Sequence, residues 1–160
     1  MHSRIFQITT KPVQDTEFIS ESSLSEHWFV REIADTVSTD NDRTEDIRHL
    51  RSWLEPRNVA VFDAAGDSFT VLPCGAEAYF AGAYDAFIAA RASTLSMGLA
   101  DFAHGGEFSK AMRLMGNSFN DRFGYYVSSD EFETITFDEF IRSTEAGTRY
   151  FIGGTLDYHY

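Results

Sequence analysis

Residues 58–73, Asn-Val-Ala-Val-Phe-Asp-Ala-Ala-Gly-Asp-Ser-Phe-Thr-Val-Leu-Pro, decide the fold class. Val59 and Val61 alternate on one side of Ala64-Ala65-Gly66-Asp67, and Phe69 and Val71 alternate on the other. A period of two on both sides of a glycine-containing turn predicts a β-hairpin, and Pro73 closes it because proline has no amide for a strand ladder. Two strands adjacent in sequence argue against strict β-α alternation, and therefore for an antiparallel sheet.

Before the hairpin, Ser3 to Thr9 reads as a first strand ended by Lys11-Pro12. Ser23-Leu24-Ser25-Glu26 has the capping-box pattern, and Phe29, Val30, Ile33, Ala34 and Val37 follow at helical spacing. Asp42-Arg43-Thr44-Glu45 opens a second helix, with Ile47, Leu50, Trp53 and Leu54 as its apolar stripe and Pro56 as its end.

After the hairpin, Ala76 to about Leu95 predicts a long helix, Ser96 to Gly106 reads equally as helix or loop, and Glu107 to Met115 predicts a shorter helix ended by Gly116-Asn117. Phe123 to Val127 has the aromatic and β-branched content of a strand. Thr136 and Glu139 form a capping box, with Ile135 and Phe140 placed for a hydrophobic staple. Arg149 to Ile152 and Thr155 to Tyr160 flank Gly153-Gly154, as in a closing hairpin or one bulged strand, and alternation sends Tyr158 and His159 to opposite faces. These elements predict a single α+β domain over residues 1–160, with a largely antiparallel sheet of about five strands and helices packed on it.

Charge constrains the partners. The 160 residues hold 25 acids against 13 bases, a net charge of −12, beside 15 Phe, 7 Tyr and 2 Trp. Such a surface repels nucleic-acid phosphate and anionic membrane and attracts basic proteins. No apolar run approaches the ~18 to 20 residues of a membrane span, and the first residues lack a signal peptide's apolar run, so the expected location is the cytoplasm. The acids gather in two groups. Asp130, Glu131, Glu133, Asp138 and Glu139 form one, and Asp35, Asp40, Asp42, Glu45 and Asp46 the other. Both fit solvated helix starts, and both fit an acidic surface that docks a basic protein or imitates a phosphate backbone. Asp40, Asp42, Thr44 and Asp46 alternate like calcium-loop ligands, but Glu45 stands in the glycine position and Arg51 in that of the bidentate glutamate. No metal site and no cofactor is expected.

Cys74 is the only cysteine, so an intrachain disulfide is excluded. Lying between a predicted strand and a predicted helix, it is the one nucleophile to weigh, with His27, His49, His104 or His159 as a base. His104-Gly105-Gly106 and Gly116-Asn117-Ser118-Phe119-Asn120 approach hydrolase motifs but miss the required glycine and context.

Four stretches are similar to those of a family of small acidic bacterial proteins often carried near mobile elements. They are Ser3-Arg4-Ile5-Phe6-Gln7-Ile8, His27-Trp28-Phe29 with Ile33-Ala34-Asp35, Phe137-Asp138-Glu139-Phe140-Ile141, and Tyr150 to Tyr160. The resemblance implies a context in conjugative or phage-derived DNA, where small acidic antirestriction proteins and other inhibitors are common, and no catalytic residue. The expectation is therefore a non-enzymatic acidic protein that engages a basic partner. A cysteine-dependent hydrolase using Cys74 and an oligomer-forming module are the alternatives.

Overall fold

A computed structural model describes residues 1–24, 27–117, 124–129 and 133–160. Its strands are β1 (His2–Thr9), β2 (Thr36–Ser38), β3 (Ala60–Phe62), β4 (Ser68–Val71), β5 (Tyr126–Ser128), β6 (Thr134–Thr136) and β7 (Arg149–His159). Its α-helices are α1 (Glu21–Leu24), α2 (Trp28–Glu32), α3 (Arg43–Leu54), α4 (Gly75–Leu95), α5 (Leu99–His104), α6 (Gly106–Asn117) and α7 (Phe137–Ser143). The protein is α+β, and the strands form one mostly antiparallel sheet in the order β3-β4-β7-β1-β5-β6, with β2 also paired to β7. Only β1 and β5 run parallel among the described pairs.

The 58–73 hairpin forms, with Ala60 opposite Val71 and Phe62 opposite Phe69. Its first strand faces the other way from the reading of the valines: Ala60 and Phe62 are buried and Val61 is exposed. Val59, also buried, precedes the strand, so the alternation that includes Val59 and Val61 does not continue into the ladder.

The last segment is one bulged strand. β7 pairs with β1 along nearly its whole length, and the register slips between Phe6 opposite Thr155 and Ile8 opposite Ile152. Gln7 fills the slip: its Oε1 accepts from the amides of Gly154 and Ile19, each at 2.9 Å, and its Nε2 donates to the carbonyl of Glu17 at 3.1 Å. A Cβ on Gly153 would stand 2.3 Å from Gln7 Oε1, which explains the Gly153-Gly154 pair at this bulge.

Two strands are short additions beyond the five expected. Val37, assigned by spacing to a helix, lies in β2, because the helix after His27 stops at Glu32 and Asp35 N donates to the His159 carbonyl at 2.8 Å. The pull of the β7 edge outweighs local helical spacing there. His27, rather than Ser23, caps this helix through Nδ1 and Phe29 N at 3.3 Å; the Ser23 capping box extends into residues outside those described. The second addition, β6, pairs with β5 and leads directly into α7, whose Thr136–Glu139 capping box is fully formed.

One sheet face carries Ile5, Leu156, Tyr158 and Tyr126, packed with Ile19, Leu24, Phe29 and Ala34. Phe29 meets Tyr126 and Tyr158 edge-on at 4.6 and 5.1 Å between centroids. The other face receives α3, where Trp53 packs on Tyr125 and Phe137 at 5.4 and 5.5 Å. Phe29, Tyr126, Tyr158 and Phe137 are buried and Trp53 and Tyr125 half-buried, so these rings add apolar burial to both faces.

The chain divides into two compact units, a sheet unit of Met1–Tyr79 with Arg122–Tyr160 and a helical unit of Phe80–Asp121. The helical unit holds most of α4 with α5 and α6, and Ser96–Gly106, left open by the sequence, contains α5 with Gly105 as its left-handed end at φ +76°. No described helix is long and apolar enough to cross a membrane.

Candidate functional site

The acidic residues singled out by sequence have different local roles. Asp42 caps α3, its Oδ1 accepting from Thr44 N at 2.9 Å and Glu45 N at 3.2 Å, and Asp40 is exposed beside it. Asp46 is only 3% exposed. Its Oδ1 accepts from Arg4 Nε at 2.6 Å and its Oδ2 from Thr155 Oγ1 at 2.9 Å and from the Asn41 amide, so it faces inward. In the other group, Glu133 is exposed, Glu139 Oε2 accepts from Thr136 N at 3.0 Å, and half-buried Asp138 accepts from Tyr79 Oη at 2.9 Å. Asp130 and Glu131 lie outside the described residues.

The two groups do not merge. Asp42 stands at the start of α3, whereas Trp53 near its end packs on Phe137, the neighbour of Asp138. Trp53 stands eleven residues along the helix from Asp42, a rise of about 16 Å.

Cys74 is exposed at the turn between β4 and α4, with φ +59°. Among the described residues no side chain hydrogen-bonds its thiol, and no cluster of three or more His, Cys, Asp or Glu is arranged to hold a metal.

A different set of polar residues comes together where β1 meets β7. Antiparallel pairing sets Arg4 opposite Asp157 and His2 opposite His159, on the face away from Ile5 and Tyr158. Arg4 Nε bonds Asp46 from α3, and Arg4 Nη1 bonds Asp157 and the Ser3 carbonyl. His2 Nδ1 donates to Asp157 Oδ2 at 2.7 Å, and the His2 and His159 rings meet edge-on at 5.1 Å. His49 Nε2 lies 2.9 Å from Glu45 Oε1. Together His2, Ser3, Arg4, Asp46, His49 and Tyr125 line a cleft of about 190 Å³. Burial raises the Tyr125 phenol above its ordinary pKa; Arg4 opposes the shift and Asp46 adds to it, so the phenol remains a donor at neutral pH. Sequence reading set His159 on the face opposite Tyr158 but missed His2 and Arg4, because only the pairing of the first strand with the last brings them there.

The helical unit has a different surface. Among its described residues only Ala90 and Ala111 are buried, while Tyr84, Ile88, Leu95, Leu99, Phe102, Met112 and Leu114 are exposed. Leu99 is 83% and Phe102 61% exposed. Its sequence carries Asp85, Asp101, Glu107 and Asp121 against Arg91, Lys110 and Arg113, leaving 21 of the 25 acids and 10 of the 13 bases in the sheet unit.

The chain matches no protein-family model, no curated protein and no solved structure.

Proposed function

We propose that this is a non-enzymatic binding protein that engages a basic protein partner. The observation that carries the reading is the division of surface between the units: nearly all the acid surplus lies in the sheet unit, and most of the exposed large apolar side chains lie in the nearly neutral helical unit. Apolar side chains left uncovered in this number mark a surface for a partner, and surplus acid speeds the approach of a basic one. The acidic contribution comes from the net charge and from exposed groups such as Asp40, Asp42, Glu133 and Glu139, with Asp46 excluded by burial. An inhibitor or nucleic-acid mimic of mobile-element origin is the form of this function that the family resemblance favours.

Capture from a host lysate tests it with the wild type beside Leu99→Glu/Phe102→Glu. Stoichiometric recovery of one basic protein, weakened by salt and lost in the double variant while its melting temperature holds, supports the reading. Recovery of nothing above background, or self-association of the wild type measured by light scattering and abolished by the same variant, overturns it.

A further inference from the structure

The cleft beside β1 has an unusual balance of open and occupied polar atoms. Both Asp46 oxygens are taken, by Arg4, Asn41 and Thr155, and both Asp157 oxygens are taken, by Arg4 and His2. Ser3 Oγ donates away to the Gly124 carbonyl. Among the described residues, Arg4 Nη2, the Tyr125 hydroxyl, His2 Nε2 and His49 Nδ1 have no hydrogen-bond partner. The first two are donors. His2 gives its other N–H to Asp157, so its open nitrogen is a bare base when neutral and a donor once protonated. His49 Nε2 stands between Glu45 Oε1 at 2.9 Å and Arg48 Nη2 at 3.4 Å.

We propose that this cleft binds the phosphoryl group of a small molecule, with proton uptake by an imidazole on binding. Four side chains from β1, α3 and the residue before β5 offer more donors than a carboxylate's two oxygens use, and a phosphate monoester has three terminal oxygens to receive them. The cleft is smaller than the ~300 to 1,000 Å³ of drug-sized sites, so it takes a headgroup and leaves the rest of the molecule in solvent. Arg4 alone does not offset Asp46 and Asp157, which is why an anion enters with a proton. His2 is faced by Asp157 and His159 on β7 and neighbours Arg4 on the sheet; His49 is faced by Glu45 and Arg48 on α3.

Isothermal titration with inorganic phosphate and with a nucleoside monophosphate, at one pH in two buffers of different ionisation enthalpy, tests the proposal. Binding with net proton uptake is expected, reduced roughly tenfold in His2→Gln and severalfold in Tyr125→Phe, with melting temperatures unchanged. Tighter binding of the nucleotide assigns the site to an organic phosphate, and equal binding assigns it to the free ion. Absence of binding by either up to about 10 mM, binding without proton uptake, or equal affinity in both variants overturns the proposal.

Discussion

Arg43 closes a gap in the sheet through Gly153: its Nε donates to the Gly153 carbonyl at 2.6 Å, and its Nη2 donates to that of Ile152 at 2.7 Å. The gap exists because one edge of β7 is shared by two short strands, β4 at Arg149–Phe151 and β2 at Asp157–His159. The guanidinium stands where a strand would otherwise supply donors, and it also bonds Asp67 and lies over the Phe18 ring at 5.0 Å. Arg43→Met keeps much of the aliphatic stem and removes both bonds. A loss of about 2 to 3 kcal/mol is expected from two part-buried carbonyls deprived of charged donors, read by urea unfolding. A loss under about 0.5 kcal/mol would show that water replaces the guanidinium without cost.

Asp46 ties α3 to the sheet rather than contributing acidic surface. Removing it as Asp46→Ala leaves Arg4 beside Thr155 and Asn41 with one carboxylate instead of two. Breaking a buried pair costs ~3 to 5 kcal/mol. The lower end is expected here because Arg4 remains 30% exposed and keeps Asp157. Asp42→Ala, by contrast, loses only a cap worth about 1 kcal/mol. The two unfolding midpoints should therefore separate two acids that sequence reading grouped together.

Much of the architecture is legible because its signals are local. Thr136 and Glu139 satisfy each other's neighbourhood within one turn, Asp42 needs only the two amides that follow it, and Gly153-Gly154 marks a strand whose side-chain space is already filled by Gln7. What escapes depends on pairing across the chain. Val37 reads as helical until the β7 edge recruits it, and Thr134 to Thr136 is too short to show a period. Likewise, Asp157 lies more than 150 residues along the chain from His2 and Arg4, and only the β1–β7 register makes it their neighbour.

At the start of α4, Gly75 reports how closely the helix approaches the hairpin. A Cβ there would lie 2.3 Å from the Val59 carbonyl oxygen and 3.1 Å from Val71 Cγ1. Helix propensity alone would favour Gly75→Ala by up to ~1 kcal/mol. The obstacle is backbone, which cannot swing aside, so the substitution should destabilise by about 1 to 3 kcal/mol instead. Unfolding of Gly75→Ala decides the sign, and a stabilised variant would mean that α4 starts farther from Val59.

Acid should weaken the contact between the end of α3 and the hairpin. The hydrogen bond from Arg51 Nε, at 2.8 Å, does most to hold the Glu55 carboxyl below its ordinary pKa; burial opposes the shift, and the Phe62 amide, at 3.1 Å, reinforces it. Asp63 is also lowered, although burial pushes upward, because Ser68, the Gly66 amide and Arg149 together outweigh it. A carboxyl depressed in the folded state binds protons more weakly there than in the unfolded chain. Its stabilisation is complete above the ordinary carboxylate values of 4.5 for Glu and 3.8 for Asp, and is lost as pH falls through the lowered folded values. Melting temperature should therefore fall on acidification below about pH 4.5. Glu55→Gln should melt lower than wild type at pH 7 and show a shallower fall with acid, since it lacks the group whose protonation is being read. Parallel curves for the two proteins would remove Glu55 from the acid response and leave Asp63 to be tested by Asp63→Asn.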